Sequence, residues 1–161
     1  MKRRADTAQL TEGSLNAAAA WLSAQQNEST PTPPQDASLA ALSDPAPARR
    51  ILALQVLCRL SGEHAAELLM GMLGDPDASV RCAAVHAAHG IGARRLASCL
   101  IVALEDPDPS VRGACGHALQ GITGRRISQA DVRDPERRHD LIAELRTWWK
   151  RERLAELLAE S

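Results

Sequence analysis

The sequence predicts an all-α chain arranged as a short α-solenoid of about three helix pairs with capping helices at both ends, and three observations lead there. First, Gly74-Asp75-Pro76-Asp77-Ala78-Ser79-Val80-Arg81 recurs as Glu105-Asp106-Pro107-Asp108-Pro109-Ser110-Val111-Arg112, displaced by 31 residues. A fixed offset of this size is the signature of stacked supersecondary units. Second, hydrophobic residues make up 45% of the 161 but aromatic residues only 2%, namely Trp21, Trp148 and Trp149. A core of Ala, Leu, Val and Ile suits closely packed helices, whereas strands favour the aromatic and β-branched residues that are scarce here. Third, the Asp-Pro pairs fall between apolar runs of helical period.

Taken from the amino terminus, residues 14 to 26, with Ala17 to Ala20 and Trp21, align in register with a second helix and are expected to cap the stack. Asn27 to Gln35, with Pro31, Pro33 and Pro34 among Ser and Thr, reads as a linker. Residues 1–35 thus form a cap and linker, 36–126 the repeats and 127–161 a C-terminal capping helix. Within the repeats, apolar groups at 65, 68, 69, 72 and at 96, 99, 100, 103 predict first helices over 63–73 and 94–104. Asp75-Pro76 and Asp106-Pro107 are expected to cap and start the second helices, which then run over about 46–60, 77–90 and 108–121. Val80, Ala84, Ala87 and Ile91 make the expected buried stripe, widened by Ala83 and Ala88, and Gly90, Gly92, Gly121 and Gly124 are the expected stops. Stepping back by 31 from the first strong copy gives a degenerate one at Leu42, Asp44, Pro45, Arg50, Ala53 and Leu60. At the other end Asp134-Pro135-Glu136 opens a helix whose Leu141, Ile142, Leu145, Trp148 and Trp149 share a face, as a terminal unit requires.

The run Asp-Pro-Asp-x-x-Val-Arg-x-Ala-Ala at 75–84, continuing to the helix end Ala87-x-x-Gly90-Ile91, resembles the short bacterial HEAT repeat, including its phycobilin-lyase type. The likeness covers residues 36 to 126. It implies an inter-repeat ladder of turn aspartate and helix arginine, at Asp44/Arg50, Asp75/Arg81 and Asp106/Arg112. It further implies that second helices line a concave surface for a protein partner. The Ile122-Thr123-Gly124 segment and the Trp-Trp helix also resemble the ends of small bacterial HEAT proteins, some of them linked to type VI secretion. A cytoplasmic immunity, inhibitor or adaptor role is the alternative that this likeness implies.

The expected partner surface comprises Gln55, Cys58, Cys82, Val85, His86, His89, Gly116, His117 and Gln120, with Gly113 and Gly116 lowering the relief to admit a partner side chain. An alternative of another class is a zinc site from Cys82, His86 and His89, which lie at i, i+4 and i+7 on one helix face. No zinc signature supports it, so no cofactor is expected. An enzyme is not expected either. The His-Glu dipeptides of HEAT-like hydroxylases are missing, a chain without Phe or Tyr offers little wall for a tetrapyrrole, and no Gly-rich phosphate loop or nucleophile elbow occurs.

A net charge of -1 gives no pull toward nucleic acid, and the arginines of 125–153 are interleaved with Asp131, Asp134, Glu136, Asp140, Glu144 and Glu152. Acidic and polar residues break any apolar run after Met1 to Arg4, and nowhere do 18 apolar residues run uncharged, so neither a signal peptide nor a membrane span is expected. The four cysteines lack a CxxC pair, and free thiols in a reducing cytoplasm are expected. Leu154, Leu157 and Leu158 fall off the stripe of Leu145 and Trp149, which suggests self-association through the C-terminal helix.

Overall fold

The computed structural model describes residues 35–60, 65–91 and 94–159, and among them every regular element is helical. The expected N-terminal cap at 14–26 lies outside the described residues. The elements are α1 (Gln35–Ala41), α2 (Pro47–Leu60), α3 (Ala65–Met72), α4 (Ala78–Gly90), a 3-10 turn (Arg94–Leu96), α5 (Ala97–Ala103), α6 (Pro109–Thr123), α7 (Gln129–Arg133) and α8 (Pro135–Ala159). Two compact units divide the chain between Leu68 and Leu69.

In the first unit α1 packs on α2, with Ala41 and Ala53 buried between Leu42 and Leu52. Small residues at the crossing let the two backbones come close. Pro47 opens α2 at its first position, where the missing N–H removes nothing. Arg50, only 8% exposed, turns back and donates from Nη1 to the carbonyl oxygens of Asp44 and Pro45 at 2.8 and 3.2 Å.

In the second unit α4 packs on α6, α5 packs on α6 and α8, and α7 bridges α6 to α8. Leu96, Leu100, Leu104, Leu119 and Leu145 are fully buried at its centre. Each such burial contributes about 1.5–3 kcal/mol relative to exposure. The stripe of α4 differs from expectation: Val80, Ala84, Val85 and Ala88 are buried, whereas Ile91 is 41% exposed and caps the helix end. The helix is thus held by a narrower row than the periodicity implies.

The turns also correct the expected capping. The helix caps are Asp77 and Asp108, whose side chains accept from the N–H of Ser79 and Ser110 at 2.8 and 2.7 Å. Asp75 and Asp106 stand two residues earlier and accept the N–H of Asp77 and Asp108, both at 2.8 Å. Each Asp-Pro-Asp thus makes two consecutive Asx turns, the first fixing the chain reversal and the second starting the helix. Asp44 does the same with Ala46 N–H at 2.8 Å. Of the four expected stop glycines, Gly124 fills that role: it caps α6 with φ of 66°, a left-handed conformation that favours glycine. Gly90 is the last residue of α4, Gly121 lies inside α6, and Gly92 lies outside the described residues.

The division of labour in the turn leaves the outer carboxylate of Asp106 free to face the preceding repeat. Arg81 meets it with a two-pronged ion pair, Nε to Oδ2 at 2.8 Å and Nη2 to Oδ1 at 2.9 Å. The remaining Nη1 donates to the carbonyls of Asp75 and Pro76 at 2.9 and 3.2 Å. Both side chains are nearly enclosed, at 12% and 8% exposure. Burial by itself raises the Asp106 pKa, but the hydrogen bonds from Arg81 and Asp108 N–H, with the charges of Arg81 and Arg112, outweigh it and hold the carboxyl below its ordinary range.

Arg112 repeats only half of this arrangement, donating to the carbonyls of Asp106 and Pro107 at 2.8 and 3.0 Å. Arg138 does likewise toward Val132 and Arg133 at 3.0 and 3.3 Å. Val132 therefore stands, six residues before its arginine, where Asp106 stands before Arg112. The ladder ends at α7 because the acceptor position is apolar. It is also 1% exposed, and it covers Gly116.

Arg81→Ala leaves a nearly enclosed carboxylate and two carbonyls short of their donor, and is expected to lower unfolding stability by about 3 kcal/mol, the range for removing one partner of a buried pair. Arg112→Ala removes only bonds to carbonyls and is expected to cost about 1 kcal/mol. Urea denaturation of the two variants checks the order. A Cβ at Gly116 would lie 2.9 Å from Val132 Cγ2, so Gly116→Ala is expected to destabilise by about 1–3 kcal/mol through overpacking. Gly116→Ala with Val132→Ala should recover most of that loss in the same assay.

Candidate functional site

The 31-residue register places His86 with His117, His89 with Gln120, Cys82 with Gly113 and Val85 with Gly116. The structure sorts these four pairs. His86, His117, His89 and Gln120 are exposed, Cys82 and Gly113 are half-buried, and Val85 and Gly116 are buried. The last pair is not outward-facing, so Val85 and Gly116 do not belong to an accessible surface. Gln55 is exposed and Cys58 half-buried on α2, in the first unit.

The lowered relief expected at Gly113 and Gly116 is taken by the chain itself. A Cβ at Gly116 would meet Val132 at 2.9 Å, Gln129 at 3.4 Å and Ile127 at 3.6 Å, and one at Gly113 would meet Gln129 Oε1 at 3.3 Å. Gln129 Nε2 donates to the Gly113 carbonyl at 3.2 Å, and Gln120 Oε1 accepts Ile127 N–H at 3.2 Å. The two glycines are needed so that α7 can lie against α6. Sequence reasoning missed this because the offset was followed into a segment where it no longer holds. Glycines three residues apart on one helix face were the available signal of a close helix approach.

What stays open is a ribbon along α4 and α6. His89 reaches across it: a Cβ at Gly121 would stand 2.5 Å from His89 Cε1, so the imidazole of one repeat fills the space above a glycine of the next. His86 and His117 are solvent-facing on the same register row. The ribbon is set by the ladder, since Arg81 on α4 and Asp106 at the start of the next turn fix the shift between the two helices.

The expected alternative of a zinc centre at Cys82, His86 and His89 is not what the geometry gives. Among the described residues no three His, Cys, Asp or Glu side chains lie together as a metal would need. Cys82 is half-buried and its thiol is pushed up by burial, then by the negative charges of Asp108 and Asp106, while His89 is turned toward Gly121. All four cysteines are free thiols, and Cys115 at the centre of α6 is pushed up to about 12, chiefly by burial. It is a core side chain and an unreactive one.

At the far end of the second unit α8 buries Ile142 and Leu145 and leaves Trp148 and Trp149 half-buried, their ring centres 5.9 Å apart and tilted by 42°. Leu154, Leu157 and Leu158 beyond them are 59%, 54% and 70% exposed. No helix among the described residues is long and apolar enough to cross a membrane.

No curated protein and no solved structure matches the chain. The family model for HEAT repeats matches residues 36–120. That stretch holds the three Asp-Pro turns, the ladder and most of the α4/α6 ribbon. Repeats of this kind generally mediate protein–protein interaction, and the all-helical scaffold is typically non-catalytic. The repeated turn, the paired helices and the family match agree, and the chain belongs to the HEAT-repeat family.

Proposed function

We propose that the chain is a non-enzymatic interaction module that binds a protein partner through the outward ribbon of α4 and α6. The observation that supports this reading is the pairing of exposed His86 with His117 and His89 with Gln120 at equal register positions on two helices tied by the Arg81–Asp106 ion pair. A rigid row of polar side chains can be recognised with little ordering cost on its own side. Imidazoles supply both donor and acceptor, so a partner's carbonyl, hydroxyl or carboxylate is accommodated. Gln55 and Cys58 hold the equivalent register positions on α2, which belongs to the first unit. The core of the proposed surface is narrower than the composition suggested, since Val85 and Gly116 are withdrawn from it.

A second reading concerns self-association. Three exposed leucines on the last two turns of α8 form an apolar row at i, i+3 and i+4, and rows of this kind pair helices. Sedimentation velocity over a range of concentrations, for the chain and for Leu154→Glu/Leu158→Glu, distinguishes a dimer from a monomer. The apolar row supports a dimer that the double variant abolishes.

His86→Glu with His117→Glu places negative charge on the ribbon without touching the core. It is expected to weaken binding of a co-purified host protein by about tenfold or more, with the melting temperature within about 2 °C of the parent, as for surface substitutions. Affinity that survives both changes removes the ribbon from the partner site.

A further inference from the structure

A pair of arginines follows each of the two second helices, Arg94-Arg95 and Arg125-Arg126, and all four are exposed. The stacking brings Arg94, Arg95 and Arg125 to the same edge as the second half of α8. Two open depressions lie there, and they are built alike. One, of about 440 Å³, is lined by Arg125, with Trp148 and Arg151 from α8. The other, of about 470 Å³, is lined by Arg95, with Trp149 and Arg153 from α8.

Arg94 stands between them, its guanidinium 6.0 Å from the centre of the Trp148 ring and ion-paired with Glu152. Glu144 pairs with Arg125 at 3.3 Å, and Glu156 with Arg153 at 3.0 Å. Arg95 and Arg151 have no carboxylate in ion-pair reach among the described residues. Arg94, Arg95, Arg125, Arg151 and Arg153 against three glutamates make this edge cationic, although the chain as a whole carries -1.

We propose that this edge is a second docking surface, for an acidic protein segment that carries apolar side chains beside its carboxylates. The charge sets the sign of the occupant. The unpaired guanidinium forks take carboxylates two-pronged, and the half-buried indoles between them take an aliphatic or aromatic side chain. Trp and Arg are also the residues that most often dominate protein–protein affinity. A nucleic acid fits less well. Its backbone repeats a negative charge at every step, and Glu144, Glu152 and Glu156 interrupt any continuous track for it. The surface is separate from the α4/α6 ribbon, so it stands or falls independently of the reading proposed above.

The test is fluorescence anisotropy with a short fluorescein-labelled peptide of repeated Asp-Glu-Leu, a matched Lys-Lys-Leu peptide and a labelled single-stranded oligodeoxythymidine of similar length. The acidic peptide is expected to bind the full chain, to weaken with added salt, and to lose at least about tenfold in affinity on Arg95→Glu/Arg125→Glu. Trp148→Leu should weaken it while keeping the salt dependence, and His86→Glu/His117→Glu should leave it unchanged. The exposed single change Arg151→Gln serves as a second variant, with melting curves confirming that each variant folds. Three results overturn the proposal: no binding of the acidic peptide, equal binding by the parent and the folded arginine variants, or tighter binding of the oligodeoxythymidine than of the peptide.

Discussion

The ion pair between Arg81 and Asp106 is the constraint on which the second unit depends. Two helices that pack through small side chains such as Ala84, Ala88, Ala114 and Ala118 can slide along each other with little change in contact area, because small side chains leave shallow ridges and grooves. A two-pronged, nearly enclosed ion pair removes that freedom, since the fork and the carboxylate fit at one shift and one angle. The neighbouring bonds make the pair possible. Asp77 and Asp108 take over helix capping, Asp75 and Asp106 shape the turns, and the third nitrogen of Arg81 closes the turn from which its own helix starts. From that fixed shift follow both the coincidence of His86 with His117 and the seating of His89 above Gly121.

The way the stack stops follows from the same logic. A further repeat would offer an aspartate six residues before its arginine. Here that position is Val132, which buries itself against Gly116 while Arg138 still closes the turn behind it. Replacing an anionic acceptor by an apolar side chain changes a site of repetition into a site of closure. Helix α8 then covers α5 and ends the hydrophobic surface with Ile142, Leu145 and the two tryptophans.

Much of this was legible in the residues. The offset of 31 fixed the identity of every helix in the two strong repeats, and observed bounds such as Ala78–Gly90 and Pro109–Thr123 lie within two residues of those the periodicity implies. Capping was harder to read. In Asp-Pro-Asp both aspartates are competent, and only the backbone angles decide which one starts the helix. The outward face was read too broadly for a different reason. Register tells which positions are equivalent, but not which of them face solvent, and Val85 and Gly116 are equivalent in being buried. The lowered relief at Gly113 and Gly116 is occupied by α7, which lies beyond the reach of the repeat. The basic edge was masked in the sequence by its own acidic neighbours and becomes visible only when Arg95 and Arg125 are seen beside Trp149 and Trp148.

A double-mutant cycle at Arg81 and Asp106 tests the central claim most directly, because it isolates the pair from the separate bonds that each residue makes to the backbone. Urea denaturation of Arg81→Leu, Asp106→Asn and the combined variant should give a coupling of about 2–3 kcal/mol, in the upper range for contacting groups. Effects that simply add, to within about 0.5 kcal/mol, would show that the shift between α4 and α6 is set elsewhere, and the account given for the ribbon would fail with it.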